Sequence, residues 1–404
     1  MKFLIIEQDL RVSGSSQGII SRSFLAKLRK SYPKSVIDVL YLKHSNSDDD
    51  LHLLPVDNIE THVVNIKIPF FVKWVNKLYW RLFHVSLNDE HIHKVYASYI
   101  KKVKYNLYNH IFIRSAGIDH EIILATHNLP ILKKAIVNFH DPHPLPWYVG
   151  SNMAFSKLYL FRLKKIIEVV QQAKTCSSSA YFMSRDLEHL YISRKQFYTL
   201  PHQYDPNVFD LSDKEHILKK TKKVAISYHG AIMFGRNADI ILDAYKELIN
   251  ENEIYKEHTE FIMRLKSGEN PRLRNKYISI ANIQILDTLN FSNSSNEQIH
   301  ETDIAIILEN GPLYCNILVG KAPFLAAYKK PILVLSPKRS ELRNYIIDQK
   351  YIAAMDSKEE IKLKLEHLII NRLSSDEEMS PFGEYFSDRS FKKSLDEILQ
   401  ANAK

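Results

Sequence analysis

Short runs of consecutive apolar residues recur along the chain, each followed by a polar or glycine-bearing loop and then by a stretch with helical spacing. In the first half the runs are 2–6, 36–42, 110–115 and 135–139, with shorter candidates at 175–179 and 196–200; in the second they are 224–228, 260–265, 283–286, 303–308 and 331–336. They are continuous rather than alternating, which predicts parallel strands covered on both faces. Helical spacing predicts helices over 19–28, 68–85, 157–171, 238–249, 321–330 and 382–399, with a helix-like segment leading to Lys134. Strand, loop and helix alternate and then restart near residue 224, so an α/β chain with two doubly wound domains is expected.

Composition narrows the class. A chain of 404 residues can fill two cores, and 45% hydrophobic with 25% charged residues describes an ordinary globular protein. Cys176 and Cys315 are the only cysteines, which excludes a disulfide scaffold and fits a reducing compartment. The apolar run after Lys2 is too short for a signal peptide and meets Glu7 at once. No run reaches the roughly 18 apolar residues of a spanning helix. A cytoplasmic protein, or one held peripherally at the inner face of a membrane, is therefore expected. Charge is uneven: residues 1–204 carry 27 Lys and Arg against 16 Asp and Glu, the remainder 28 against 30. That excess suggests an anionic partner surface, or simply a soluble basic face.

Candidate chemistry collects beyond strand ends. Gly14 and Gly18 lie in the loop after the first strand, without the third glycine of the dinucleotide fingerprint, and as a plain turn would need only flexibility. Asp48-Asp49-Asp50 reads as a solvated charge cluster. In 68–85, Phe70, Phe71, Trp74 and Leu78 accompany Lys73, Lys77 and Arg81, a basic row every fourth residue. This is the pattern of an interfacial helix, or of a helix packing on its own domain. Arg114 ends one strand, and His140 follows another, in a loop stiffened by Pro142, Pro144 and Pro146 before Trp147. His140 is open to reading as a functional group beyond a strand end, as a structural side chain or, with Asp141 and His143, as a weak metal-binding candidate. In the second half Gly230, Arg236, Lys266, Glu309 and Asn316 fall beyond strand ends, and Gly320-Lys321 opens a helix, where free amides and a cation suit a phosphate.

The segment KAPFLAAYKKPILV, 321–334, resembles the K-x-x-E-Y-x-A-x-G-K-P-V/I element of retaining glycosyltransferases of the GT-B fold, family four. Asn316 and Phe324 stand where that family usually carries two glutamates eight positions apart. The strand at 224–228 with Gly230, Arg236 and Ala244 resembles the family's glycine-arginine element. His140-Asp141 resembles its strand-His-Asp, and Pro206-Asn207 the close of its first domain. The resemblance implies two doubly wound, Rossmann-like domains facing across a cleft: 1–205 for the acceptor, a linker at 206–222, 223–381 for the donor nucleotide, and a helix in 382–404 returning to the first domain. It implies anomer-retaining, metal-independent glycosyl transfer from a nucleotide sugar to a saccharide or polyprenyl-linked acceptor in surface polysaccharide or glycoconjugate assembly. The nucleotide sugar is a co-substrate; no resident cofactor is implied. His140, Arg236 and Lys321 would be catalytic, and Gly14, Gly230, Lys266, Glu309, Asn316 and Gly320 would hold the donor. Lys73, Trp74, Lys77, Arg81 and Arg114 fall on the acceptor or membrane side. A sugar-nucleotide epimerase of the same architecture is the alternative, and a basic nucleic-acid-binding protein a third reading. No recognition motif supports the last, so no nucleic-acid partner is expected.

Overall fold

The computed structural model describes residues 1–14, 16–46, 49–145, 151, 153–192, 195–375 and 377–403. The chain divides into two compact units. The first takes residues 1–147, 152–208 and 387–404, the second 148–151 and 209–386. In chain order the first holds β1 (Lys2–Glu7), α1 (Ser16–Ser31), β2 (Val36–Lys43), β3 (Asn58–Val63), α2 (Phe70–Phe83), α3 (Leu87–Ile100) and β4 (His110–Arg114). It continues with α4 (Glu121–Ala125), β5 (Ala135–Phe139), α5 (Lys157–Gln172), β6 (Thr175–Ser178), α6 (Tyr181–Leu190) and β7 (Phe197–Thr199). The second holds β8 (Val224–Ala231), α7 (Ala238–Glu251), α8 (Glu253–His258), β9 (Thr259–Lys266), α9 (Asn270–Tyr277), β10 (Ile283–Asp287), α10 (Phe291–His300) and β11 (Ile304–Leu308). There follow β12 (Tyr314–Cys315), α11 (Ala322–Ala327), β13 (Ile332–Ser336), β14 (Arg339–Ser340), α12 (Glu341–Tyr345), β15 (Ile352–Ala354) and α13 (Lys358–Ser374). Last comes α14 (Asp388–Ala403), which belongs to the first unit.

Both large sheets are wholly parallel. The first runs β3-β2-β1-β4-β5-β6-β7 and the second β10-β9-β8-β11-β13-β15. Strand order reverses between β1 and β4 in one and between β8 and β11 in the other. Such reversals open a crevice at the carboxyl ends of the strands, where open α/β sheets bind ligands. The central strands are apolar throughout and buried, as in Ile5, Ile113, Val137, Ile226 and Ile306. Helix starts are capped in the usual way: Ser86 accepts from the Asp89 amide, Ser357 from Glu360 and Asn237 from Asp239.

α14 packs on α1, β6 and β7, burying Phe391, Leu395 and Ile398. Lys27 pairs with Asp388, Tyr32 bonds Asp396, and Thr175 Oγ1 donates to Asn402 Oδ1 at 3.1 Å. The segment read as a linker is hydrogen-bonded along α10: His216, Leu218 and Lys220 amides donate to Asn293, Glu297 and Glu301.

Four expectations change. The helix leading to Lys134 is only the five-residue α4 and a 3-10 turn at Pro130–Lys134, because Asn128 adopts φ 60 and Pro130 supplies no amide. The helix read over 321–330 ends at Ala327; Lys329 is left-handed at φ 48, and residues before Pro331 disfavour helix. The last helix starts at Asp388 rather than 382. Asp49 is buried rather than solvated: its Oδ2 accepts from Tyr41 Oη at 3.0 Å and pairs with Lys43 Nζ at 2.9 Å. Asp48 lies outside the described residues.

Candidate active site

The second unit gathers cations where β8 ends. Its register sets Ala231 beside Lys266 of β9, and β8 stays paired with β11 only at Ile226 and Ser227 before the strands part. Tyr228 Oη donates to Ala231 O at 2.8 Å, and Arg236 Nη1 donates to the same oxygen at 3.1 Å. Lys321 Nζ lies 4.7 Å from the centroid of the Tyr228 ring. A Cβ on Gly230 would stand 2.8 Å from Tyr228 Oη and 3.0 Å from Lys321 Nζ, so only glycine leaves this corner open. Although Lys321 is partly exposed along its stem, its ammonium is buried and has no hydrogen-bond partner among the described residues, and neither has Arg236 Nε. Burial, then the nearby Arg236 charge, push the Lys321 amine down to about 7. A cavity of about 340 Å³ adjoins, lined by Ile232, Arg236, Asn237, Asp239 and Arg272 among others. Both acids of its lining are paired: Asp239 Oδ2 meets Arg272 at 2.6 Å and Oδ1 meets Lys276 at 2.7 Å, and Glu269 Oε2 meets Arg272 Nε at 2.6 Å. At the expected anion site on the start of α11, the Ala322 amide donates to Val319 O at 3.0 Å and Pro323 supplies none, which leaves the Lys321 ammonium as its cation.

Glu309 is placed differently from Arg236 and Lys321. It is fully buried just past β11, Ser336 Oγ donates to its Oε2 at 2.6 Å, and burial pushes its carboxyl up to about 7. Asn316 is buried, Gly320 sits in the turn before α11, and the Lys266 side chain is exposed.

The first unit has its own polar cluster at the β1/β4 reversal. Ile6 pairs with Ile113, so Glu7 and Arg114 end neighbouring strands; Arg114 Nε lies 2.6 Å from Glu7 Oε1. Arg114 Nη2 donates to His140 Nε2 at 2.7 Å, which leaves the proton on Nδ1, and that donates to Gln17 Oε1 at 2.6 Å. Gln17 Nε2 passes the chain on to Asp141 Oδ2 at 2.7 Å. Ser21 Oγ donates to Glu7 Oε2 at 3.1 Å, and His202 stacks edge-on at 5.5 Å from His140. Burial pushes Glu7 up to about 7 against the pull of Arg114, and Asp141 up to about 6. Burial and Arg114 hold His140 neutral.

His140 is 1% exposed and both its ring nitrogens are engaged, so in this state it presents no free nitrogen. Arg114 likewise lies inside this cluster, at 2% exposure, and not on an outer face. Pro146 and Trp147 of the same loop lie outside the described residues. Gly14 stands apart: it adopts φ 80 and is exposed, with nothing among the described residues near the place of a side chain. Lys73, Trp74, Lys77 and Arg81 all lie exposed on α2. Among the described residues, no three His, Cys, Asp or Glu side chains stand where they could hold a metal ion.

Sequence reasoning missed Glu7, Gln17 and Tyr228. Glu7 carried a readable signal, as an acid closing the buried apolar run Phe3 to Ile6. Tyr228 was counted only as a strand residue, and its ring became visible as a partner for Lys321 only through packing.

No family model matches the sequence, and no curated protein matches it either. Solved structures do resemble it. UDP-GlcNAc 2-epimerase from Neisseria meningitidis bound to UDP-GlcNAc aligns over 99% of this chain and 100% of its own, with TM-score 0.57 and 12% identity. The lipopolysaccharide outer core galactosyltransferase WaaB, in its apo form, aligns over 99% of both chains with TM-score 0.59 and 11% identity. Trehalose-6-phosphate synthase OtsA aligns over 99% of both with TM-score 0.58 and 11% identity. The likeness places this chain in the GT-B fold class, with two Rossmann-like units of seven and six parallel strands.

Proposed function

We propose that the protein is a sugar-nucleotide enzyme of the glycosyltransferase type, whose second unit holds the pyrophosphate of a nucleotide sugar at the end of β8. One observation carries this reading: the buried Lys321 ammonium has no hydrogen-bond partner among the described residues and lies beside Arg236, itself incompletely bonded. Buried cations without counter-ions are costly, and a diphosphate supplies the missing charge. Guanidinium and ammonium together suit it, one by a planar fork and the other as a point charge. Gly230 keeps the approach open, Lys266 stands on the next strand, and the adjoining cavity offers room for more of the donor.

In this reading the bond from the anomeric carbon to the diphosphate oxygen breaks through an oxocarbenium-like state. Charge then grows on the leaving oxygen, which Arg236 and Lys321 neutralise more strongly in the transition state than before it. The first unit would serve the saccharide or lipid-linked acceptor, with the Glu7, Arg114 and His140 cluster fixing polar groups at the ends of β1 and β4. Retention of the anomeric configuration rests on the resemblance to family four. UDP-sugar use is supported by the neighbours, one of which is bound to UDP-GlcNAc.

An epimerase is the second reading, favoured by the full-length likeness to a UDP-GlcNAc 2-epimerase. Incubation with a UDP-sugar alone separates the two: an epimer in the absence of any acceptor selects the epimerase, whereas sugar transfer that needs an acceptor selects the transferase. For the shared claim, calorimetric titration of UDP and UDP-sugars into wild-type protein and Arg236→Ala is decisive. Binding weakened in the variant supports the site, and equal affinities remove it.

A further inference from the structure

Helix α2 carries a dense apolar display on the described surface. None of its residues is buried; Phe70 is 84% exposed, Phe71 72%, Trp74 62% and Leu82 61%, and Leu78 lies exposed among them. At 100° per residue these five side chains fall within about 120° of one another, so they form a single stripe. A stripe of this size exceeds the scattered apolar residues of an ordinary surface. On the other side Val72, Val75 and Trp80 are half-buried while Tyr79 and Phe83 stay exposed, and Asn76 Oδ1 accepts from the Asn88 amide at 3.2 Å, which ties α2 to the start of α3. The helix is therefore seated with its apolar stripe outward.

Charge indicates what covers the stripe. Lys73, Lys77 and Arg81 follow one another along one border of it, and all three are exposed. The stretch from Thr61 to Asn88 contains four basic residues and no acidic one. A second copy of this chain would bring the same uncompensated positive row to the contact, and like charges would face each other across it. An anionic bilayer satisfies both features at once, with acyl chains for the aromatic stripe and headgroup phosphates for the cations.

We propose that α2 lies in the surface of an anionic membrane, with Phe70, Phe71, Trp74, Leu78 and Leu82 entering the headgroup boundary and Lys73, Lys77 and Arg81 pairing with lipid phosphate. This does not depend on the donor chemistry of the second unit. Two of the chain's three tryptophans, Trp74 and Trp80, lie on α2 and report its environment directly.

The test uses the full chain and vesicles of phosphatidylcholine, with or without 30 mol% phosphatidylglycerol as the chosen probe composition. Wild-type protein floats with the anionic vesicles and its tryptophan emission shifts to the blue; raised salt releases it. Changing Lys73, Lys77 and Arg81 to Gln lowers partitioning roughly a hundredfold, from about a fivefold loss per cation. Trp74→Ser with Leu78→Ser removes the blue shift and the binding while leaving nucleotide affinity and thermal unfolding unchanged, since both positions are exposed. Equal binding to neutral and anionic vesicles, no binding by the wild type, or full binding by both variants overturns the proposal. So does a wild-type dimer in light scattering that Trp74→Ser with Leu78→Ser converts to monomer without any vesicle binding, which would make the stripe a contact between copies.

Discussion

Replacing Lys321 by Met should separate stability from ligand affinity, because the two respond to the buried ammonium with opposite signs. Its pKa falls from 10.5 to about 7, chiefly through burial and then through Arg236. At about 1.4 kcal/mol per unit this sets a ceiling of ~5 kcal/mol on what the charge costs the folded state. The flexible stem retains some solvent access, and the Tyr228 ring returns ~0.5–2 kcal/mol as a cation–π contact. A net gain of ~1–3 kcal/mol is therefore expected on substitution, comparable with other buried charges replaced by apolar residues. The pH dependence follows from the same shift. Because the folded value lies below the unfolded one, the unfolded state binds more protons between about pH 7 and 10.5, and wild-type stability rises with pH across that window. Lys321→Met should lose that rise. Its affinity for UDP at pH 7 should instead fall roughly 10- to 100-fold, the loss of one charge-assisted contact. Wild-type affinity should itself weaken above pH 7 as the free amine deprotonates. The three tryptophans, at 74, 80 and 147, fall in residues of the first unit, so urea unfolding followed by circular dichroism, with calorimetry for UDP, is the suitable pair of measurements. A variant that is less stable than wild type and binds UDP equally well would refute the account.

Arg236→Ala should weaken UDP binding by ~1.5–3 kcal/mol in calorimetric titration, with little change in unfolding because the side chain is partly exposed. Gly230→Ala should push Tyr228 and Lys321 apart at small cost in stability, since both contacts are side-chain ends, yet lower UDP affinity at least several-fold in the same titration. Glu7→Ala leaves Arg114 buried without its carboxylate and should destabilise the first unit by ~3–5 kcal/mol, visible in tryptophan-monitored urea unfolding. Phe391→Ala, a fully buried ring on α14, should cost ~3–5 kcal/mol by the same readout.

The sheets were legible in the sequence because parallel strands buried on both faces must be continuously apolar, as in Phe3 to Ile6 and Ile304 to Leu308. β3 was not, because an edge strand shared with water needs no such run; Asn58, Glu60 and Thr61 are exposed. α13 was passed over although Ile361, Leu365, Leu368 and Ile369 form a readable buried stripe behind the Ser357 cap. At the candidate site, Arg236 was legible beyond a strand end and by its likeness to the family's glycine-arginine element, and Lys321 by its place at a helix start. Their juxtaposition was not legible, since they are 85 positions apart and meet only through the fold around Tyr228 and Gly230. His140 shows the opposite limit. Its position beyond β5 was plain, but its engagement by Arg114 and Gln17 depends on three separate segments converging.

The packing of α14 onto α1, β6 and β7 also governs the order in which the molecule can be finished during synthesis. Residues 209–386 leave the ribosome before the helix that seals the earlier unit, so the later unit can complete its core first. Until 388–403 emerge, the nascent sheet around β6 and β7 keeps an open greasy flank, and that interval is when a chaperone would have most to hold.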